Sequence, residues 1–149
     1  MGLFDALDIS GSGLSAERLR MDVTAENLAN AQTTRTATGG PYQRQQVVLA
    51  EAQPNSFQTA LAGAAGGPAS GTPAGGVDVQ GIVNDPAPGR LVYDPGNPDA
   101  NAQGYVRMPN VNTVTEMVDL ISEQRDYEAN VTAMQTDKTM LSKTFDLLS

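Results

Sequence analysis

The residue types that ordinarily do chemistry are scarce in this chain. Its 149 residues include no histidine and no cysteine, which removes an imidazole base, a thiolate nucleophile and a Cys/His zinc site together. A carboxylate pair or a Ser–Lys dyad remains formally open. The lysines, Lys138 and Lys143, fall in a long helical pattern and not in any evident cleft. Gly11-Ser12-Gly13-Leu14-Ser15-Ala16 carries the letters of a dinucleotide-binding turn. That motif needs a strand before it and a βαβ unit around it, and neither pattern is present. Asp94-Pro95-Gly96-Asn97-Pro98-Asp99 could suggest Ca²⁺. An EF-hand loop, however, puts glycine sixth and a bidentate glutamate twelfth, whereas Gly96 is third and no such glutamate follows. Asn130-Val131-Thr132 is a glycosylation sequon by letters only, in the middle of a helical pattern. The expectation is no catalytic residue, no cofactor and no metal.

The elements that would hold any site are built from a lean composition. Apolar residues make up 40%, much of it alanine, with no tryptophan, three phenylalanines, fifteen glycines and nine prolines. Such a chain builds a small core. A net charge of −8 argues against nucleic acid or an anionic membrane surface as partner, since both call for clustered Lys and Arg. No cysteine means no disulfide framework. No apolar run approaches the roughly 20 residues of a membrane span. Met1-Gly2-Leu3-Phe4-Asp5 shows no basic n-region or long apolar h-region, so no Sec-type signal peptide is expected.

The last third carries the strongest pattern. Met117, Leu120, Tyr127, Val131, Met134, Leu141, Phe145 and Leu148 recur at alternating three- and four-residue steps, with Gln124 and Lys138 in the missing places. That is a heptad seam, one stripe turned to a partner helix and the rest to water. Thr113-Val114-Thr115-Glu116 fits a capping box. A helix over 113–147 would be roughly 50 Å long at 1.5 Å per residue. At the other end, Leu7, Leu14, Met21, Ala25 and Leu28 form a second stripe, interrupted by Arg18 and widened by Leu19 and Val23. Gly11 and Gly13 predict a frayed or bent start, with the firm part from Leu14. Two such helices at the two ends predict that the termini meet as a coiled pair.

Between them the period changes. Tyr42 to Glu51 reads as a strand; Val77-Asp78-Val79, Ile82-Val83, Leu91-Val92-Tyr93 and Tyr105-Val106-Arg107-Met108 are shorter candidates. Prolines separate them, with Gly81, Gly89, Gly96 and Gly104 at expected turns. Ala60 to Gly76 is low-complexity, rich in Ala and Gly, and reads as a flexible loop.

One segment stands out as a motif. Asn27-Leu28-Ala29-Asn30, followed by Thr33, resembles the N-L-A-N-x-x-T signature of the axial proteins of the bacterial flagellum, the rod, hook and hook-junction subunits. Asn27 and Asn30 also suit a helix that stops and hands over to extended chain. Gly40-Pro41-Tyr42, then Tyr93-Asp94-Pro95-Gly96, then Gly104-Tyr105 and Pro109-Asn110, are similar to the proximal-rod branch of that family. Asn97 departs from it, since a histidine is common there, and the 60–76 segment is longer than usual.

The expected architecture is α+β. Residues 1–33 and 111–149 supply the two helices of a terminal coiled-coil domain, and residues 34–110 form a small β domain between them. The resemblance implies a structural subunit of the proximal rod of the flagellar basal body, polymerising into a periplasm-spanning drive shaft for motility. It implies partners among copies of itself, other rod proteins and the flagellar export apparatus, with no nucleic acid and no small-molecule substrate. The rival reading is a soluble adaptor or chaperone-like module that binds partners through one amphipathic helix.

Overall fold

Two long helices bracket four short strands in the computed structural model, which describes residues 3–52 and 75–148. In chain order these are α1 (Leu3–Ala29), β1 (Gln45–Glu51), β2 (Val77–Asn84), β3 (Leu91–Tyr93), β4 (Tyr105–Arg107) and α2 (Thr113–Leu148). The class is α+β. The low-complexity stretch 60–76 lies outside the described residues except for Gly75 and Gly76. The chain divides into two compact units, one of residues 1–16, 49–80 and 127–149, the other of residues 17–48 and 81–126.

In the first unit, α1 does not fray at its glycines. It is helical from Leu3 through Gly11 and Gly13, against the expectation of a firm start at Leu14. A Cβ on Gly13 would come within 3.2 Å of the Asn130 side chain, and one on Gly11 within 3.8 Å of the Met134 methyl. A side chain at Gly13 would crowd Asn130, whereas one at Gly11 would make an ordinary van der Waals contact, and the helix continues through both despite the ~1 kcal/mol propensity cost of each glycine. Along the same part of α2, the hydroxyls of Thr132, Thr136, Thr139 and Thr144 each donate to the carbonyl four residues back, at 2.8–2.9 Å. The backbone N–H of Ala52 donates to the Gly76 carbonyl at 3.1 Å, and that of Val77 to Ser12 Oγ at 3.0 Å.

In the second unit, α1 ends in a tightened turn, with the Ala31 N–H donating to the Leu28 carbonyl at 3.3 Å. The α2 start differs from the capping-box reading. Thr113 is the first helical residue, and Asn112 is the cap: its Oδ1 accepts from the N–H of Val114 at 3.1 Å and of Thr115 at 3.5 Å. Asparagine is among the best caps, and the Glu116 carboxylate is engaged elsewhere, as described below.

The strands form two separate two-stranded sheets, β1 with β2 and β3 with β4. The Asp85 N–H donates to the Arg44 carbonyl at 2.7 Å, joining the start of β1 to the end of β2, the arrangement of an antiparallel pair. β1 starts at Gln45 and not at Tyr42. Val77–Val79 and Ile82–Val83 merge into one strand, so Gly81 lies inside β2 (φ 156°) and not at a turn. β3 and β4 pair antiparallel, with Leu91 opposite Arg107, Val92 opposite Val106 and Tyr93 opposite Tyr105. The two tyrosine rings meet edge to face at 5.2 Å. Gly104 turns the chain into β4 with φ 82°.

Among the described residues the buried apolar side chains are few and mostly small: Ala16, Val23, Ala31, Tyr42, Val106 and Pro109. Four polar residues, Thr24, Asn27, Glu116 and Glu123, are buried just as deeply.

Candidate assembly site

Asn27 is the centre of the second unit. It is 1% exposed, and all four of its polar valences are used. Its Nδ2 donates to the Gln45 carbonyl at 2.8 Å and to Glu116 Oε2 at 3.1 Å. Its Oδ1 accepts from the Tyr42 hydroxyl at 2.9 Å and from the Gln45 N–H at 2.8 Å. One side chain therefore ties α1 to β1 and to α2. Burial, with Glu26 and Glu116 nearby, pushes the Tyr42 pKa up.

The other Glu116 oxygen accepts from Arg44 Nε, and the Arg44 guanidinium also reaches Asp119 Oδ2 at 3.4 Å. A buried carboxylate needs such a pairing. The Arg44 N–H donates to Asn110 Oδ1 at 2.7 Å, and Asn110 Nδ2 donates to the Asp85 carbonyl at 3.2 Å. Seven residues along α2 from Glu116, Glu123 lies 4% exposed. Its Oε1 accepts from Thr24 Oγ1 at 3.1 Å and lies 3.7 Å from Arg20 Nε. Its Oε2 has no hydrogen-bond partner among the described residues. Burial raises the Glu123 pKa; Thr24 and Arg20 oppose that rise, and Glu17 and Asp119 reinforce it.

The motif residues divide between this node and the turns around it. Asn27, Tyr42 and Asn110 belong to the node. Asn30 closes the end of α1, donating from Nδ2 to the Glu26 carbonyl and accepting from Thr33 Oγ1 at 3.1 Å. The Thr33 carbonyl accepts from the Tyr42 N–H at 3.0 Å, and the Gly40 carbonyl, at a positive φ of 80° just before Pro41, accepts from the Thr36 N–H at 2.8 Å. Asp94 pairs with Gly104 and Asn97 through backbone bonds around Pro95 and Gly96. Tyr93 and Tyr105 make the ring pair, and Pro109 is buried. Leu28 is half-buried and Ala29 exposed. Asp99 accepts from Thr34 Oγ1 at 2.7 Å and lies 3.7 Å from Arg35. Among the described residues no group of three or more His, Cys, Asp or Glu side chains is placed to hold a metal ion.

The two heptad stripes are covered unevenly. Leu7, Leu14, Met21 and Leu28 on α1, and Leu120, Tyr127, Val131, Met134 and Leu141 on α2, are half-buried. Ala25 is exposed, Met117 is 51% exposed and Phe145 61%; the Leu148 side chain lies outside the described residues. Beside Met117, the side chains of Val114, Val118 and Ile121 are 54–69% exposed. Positions 114, 117, 118 and 121 are spaced i, i+3, i+4, i+7 and share one helix face. Large apolar side chains in a row on a water-facing helix mark an interaction surface.

Sequence reasoning missed Arg44, Glu123, Thr24 and the inward role of Glu116. One signal was available. Glu116 and Glu123 are seven residues apart, on one helical face, and the donors Thr24 and Asn27 are three apart on the other helix.

Two family models match the chain: "Flagella basal body rod protein" over residues 7–35, and "Flagellar basal body rod FlgEFG protein C-terminal" over residues 102–147. These spans take in most of α1 and α2. Curated relatives match over nearly the full length. The flagellar basal-body rod protein FlgC of Yersinia enterocolitica is 46% identical over 147 residues, covering 99% of this chain and 98% of its own. FlgC of Bacillus subtilis strain 168 is 46% identical over 151 residues, covering 99% of each. FlgC of Borreliella burgdorferi is 40% identical over 157 residues, again covering 99% of each.

Proposed function

Because the chain belongs to the FlgC family of flagellar basal-body rod proteins and is a structural rod subunit, we propose that it polymerises through the outer faces of α1 and α2 into a periplasm-spanning drive shaft. The helix pair forms the inner wall of that shaft as a coiled-coil terminal domain over 1–33 and 111–149, and the β segment 34–110 faces outward. Copies of this chain and other rod proteins are its neighbours, and the flagellar export apparatus delivers it. Its role is mechanical and not catalytic.

The observation that carries this reading is the exposed row Val114, Met117, Val118 and Ile121. A monomeric protein gains nothing from four large apolar side chains in water. A polymer buries them at every repeat, and head-to-tail contacts that do not close into a ring give an open tube. The test is fractionation of flagellated cells carrying a tagged copy of the chain. A rod subunit enters the fraction containing intact basal bodies. Recovery only in a soluble complex of fixed stoichiometry would establish the adaptor reading instead.

A further inference from the structure

The exposed α2 face and the exposed face of α1 have different chemistry, and each suits the other. On α2, the apolar row from Val114 to Ile121 is followed one turn later by Arg125, which is exposed and makes no ion pair among the described residues. On α1, Asp22, Ala25, Glu26 and Ala29 are all exposed and share one face at i, i+3, i+4, i+7. The alanines leave shallow space on that face, and the two carboxylates flank it without an ion-pair partner among the described residues.

Within the unit that holds both faces, Thr24 bonds to Glu123 and Asn27 to Glu116. Positions rise on α1 as they fall on α2, so the helices run antiparallel there. Subunits that all point the same way along a rod present α2 of one copy to α1 of the next in that same antiparallel sense. Setting Arg125 across from Asp22 then places Ile121 over Ala25 and Glu26, and Val118 over Ala29. Apolar side chains meet the alanines, and the lone guanidinium meets the carboxylates.

We propose that the Val118–Arg125 face of α2 docks on the Asp22–Ala29 face of α1 of a second copy of this chain, with Met117 and Val114 continuing the contact over the Asn30–Thr33 turn that follows that helix. This deepens the rod reading, on which it rests, by naming the two surfaces and the copy that covers them. The interface is heterologous, since the two faces differ, and an interface of that kind propagates instead of closing into a pair.

The absence of cysteine in the chain gives a clean test. Two copies with different tags, one carrying Ala25→Cys and the other Ile121→Cys, are expressed together in flagellated cells, and isolated basal bodies are treated with a short bis-maleimide. A cross-linked species carrying both tags is expected, at least tenfold above that from either variant alone. A dominant Ala25→Cys homodimer would mean like faces meet, and would overturn the proposal. So would capture of a different rod protein by Ile121→Cys, or the absence of the mixed species while both copies sit in the rod. If neither copy enters basal bodies, the rod reading falls with it. A second arm does not depend on cysteine. Arg125→Glu should abolish swimming and Arg125→Glu with Asp22→Arg should restore it; a double variant as immotile as the single one would contradict the register.

Discussion

Asn27 on α1 donates to Glu116 on α2 at 3.1 Å, and both side chains are 1% exposed. This bond joins the first part of the chain to the last across 89 residues of sequence. It sits where a two-helix protein would ordinarily place leucines. A buried polar contact satisfied on every side specifies one register, because sliding either helix leaves a charge and an amide unpaired.

Asn27→Ala should therefore cost more than its size suggests. It leaves the Tyr42 hydroxyl, the Gln45 N–H and carbonyl, and one Glu116 oxygen without their partner, for a loss of roughly 2–4 kcal/mol. Asn27→Asp should be as harmful, since it removes the donor and sets a second carboxylate against Glu116. Urea unfolding of the two variants measures this. Wild-type stability in both would show that the node is dispensable.

Glu123 gives the stability a pH dependence of definite sign. Its folded-state pKa is raised, chiefly by burial, so the folded chain holds a proton that the unfolded chain has already released. Stability therefore falls as pH rises from the ordinary carboxylate range through the raised value, and the penalty is fully present above it. Glu123→Gln keeps an acceptor for Thr24 and removes the buried charge. Unfolding midpoints across a pH series should decline less for the variant than for the wild type. Parallel pH profiles would contradict this account of Glu123.

Gly104 is required by its turn. It adopts φ 82°, and a Cβ there would come within 2.8 Å of the Tyr93 ring. Gly104→Ala should cost about 1–3 kcal/mol through strain and the displaced ring. Amide exchange at Tyr93, Tyr105 and Val106 should quicken in the variant. Unchanged protection of those amides would show that the turn tolerates a side chain.

The long elements were legible in the sequence because period and length reinforce each other over many residues. The span of α2 follows from that; the strands were found only approximately, since Tyr42–Arg44 lie before β1 and the two candidates around Gly81 form one strand. The cap of α2 was misplaced by one residue because Asn112 and Thr113 are both good caps, and only the bond to the Val114 N–H distinguishes them. The start of α1 was misjudged because propensity scores Gly11 and Gly13 as isolated residues and does not see Asn130 and Met134 against them. The motif asparagines were visible as a pattern, with a turn-forming role read into both. Asn30 has such a role at the end of α1. Asn27 is a buried hub, and nothing local in the sequence records a partner 89 residues away. The heptad stripes mark where the apolar residues of the two helices line up. They could not separate those covered within the chain from those, such as Met117, that the chain leaves bare.

Met117 is the residue whose substitution tests the central claim. It is 51% exposed and lies near the N-terminal end of α2, where an acidic side chain suits the helix dipole. Met117→Asp should therefore change the stability of the isolated chain by no more than about 0.5 kcal/mol, as for other exposed positions. In a polymer the same carboxylate would be buried unpaired at every contact. The decisive measurement is electron microscopy of basal bodies from cells whose only copy of the chain carries Met117→Asp, beside a Thr115→Ala control. The account predicts a detectable, folded subunit with no rod for Met117→Asp, and normal rods for the control. Normal rods and full swimming with Met117→Asp would contradict assembly through the exposed face of α2.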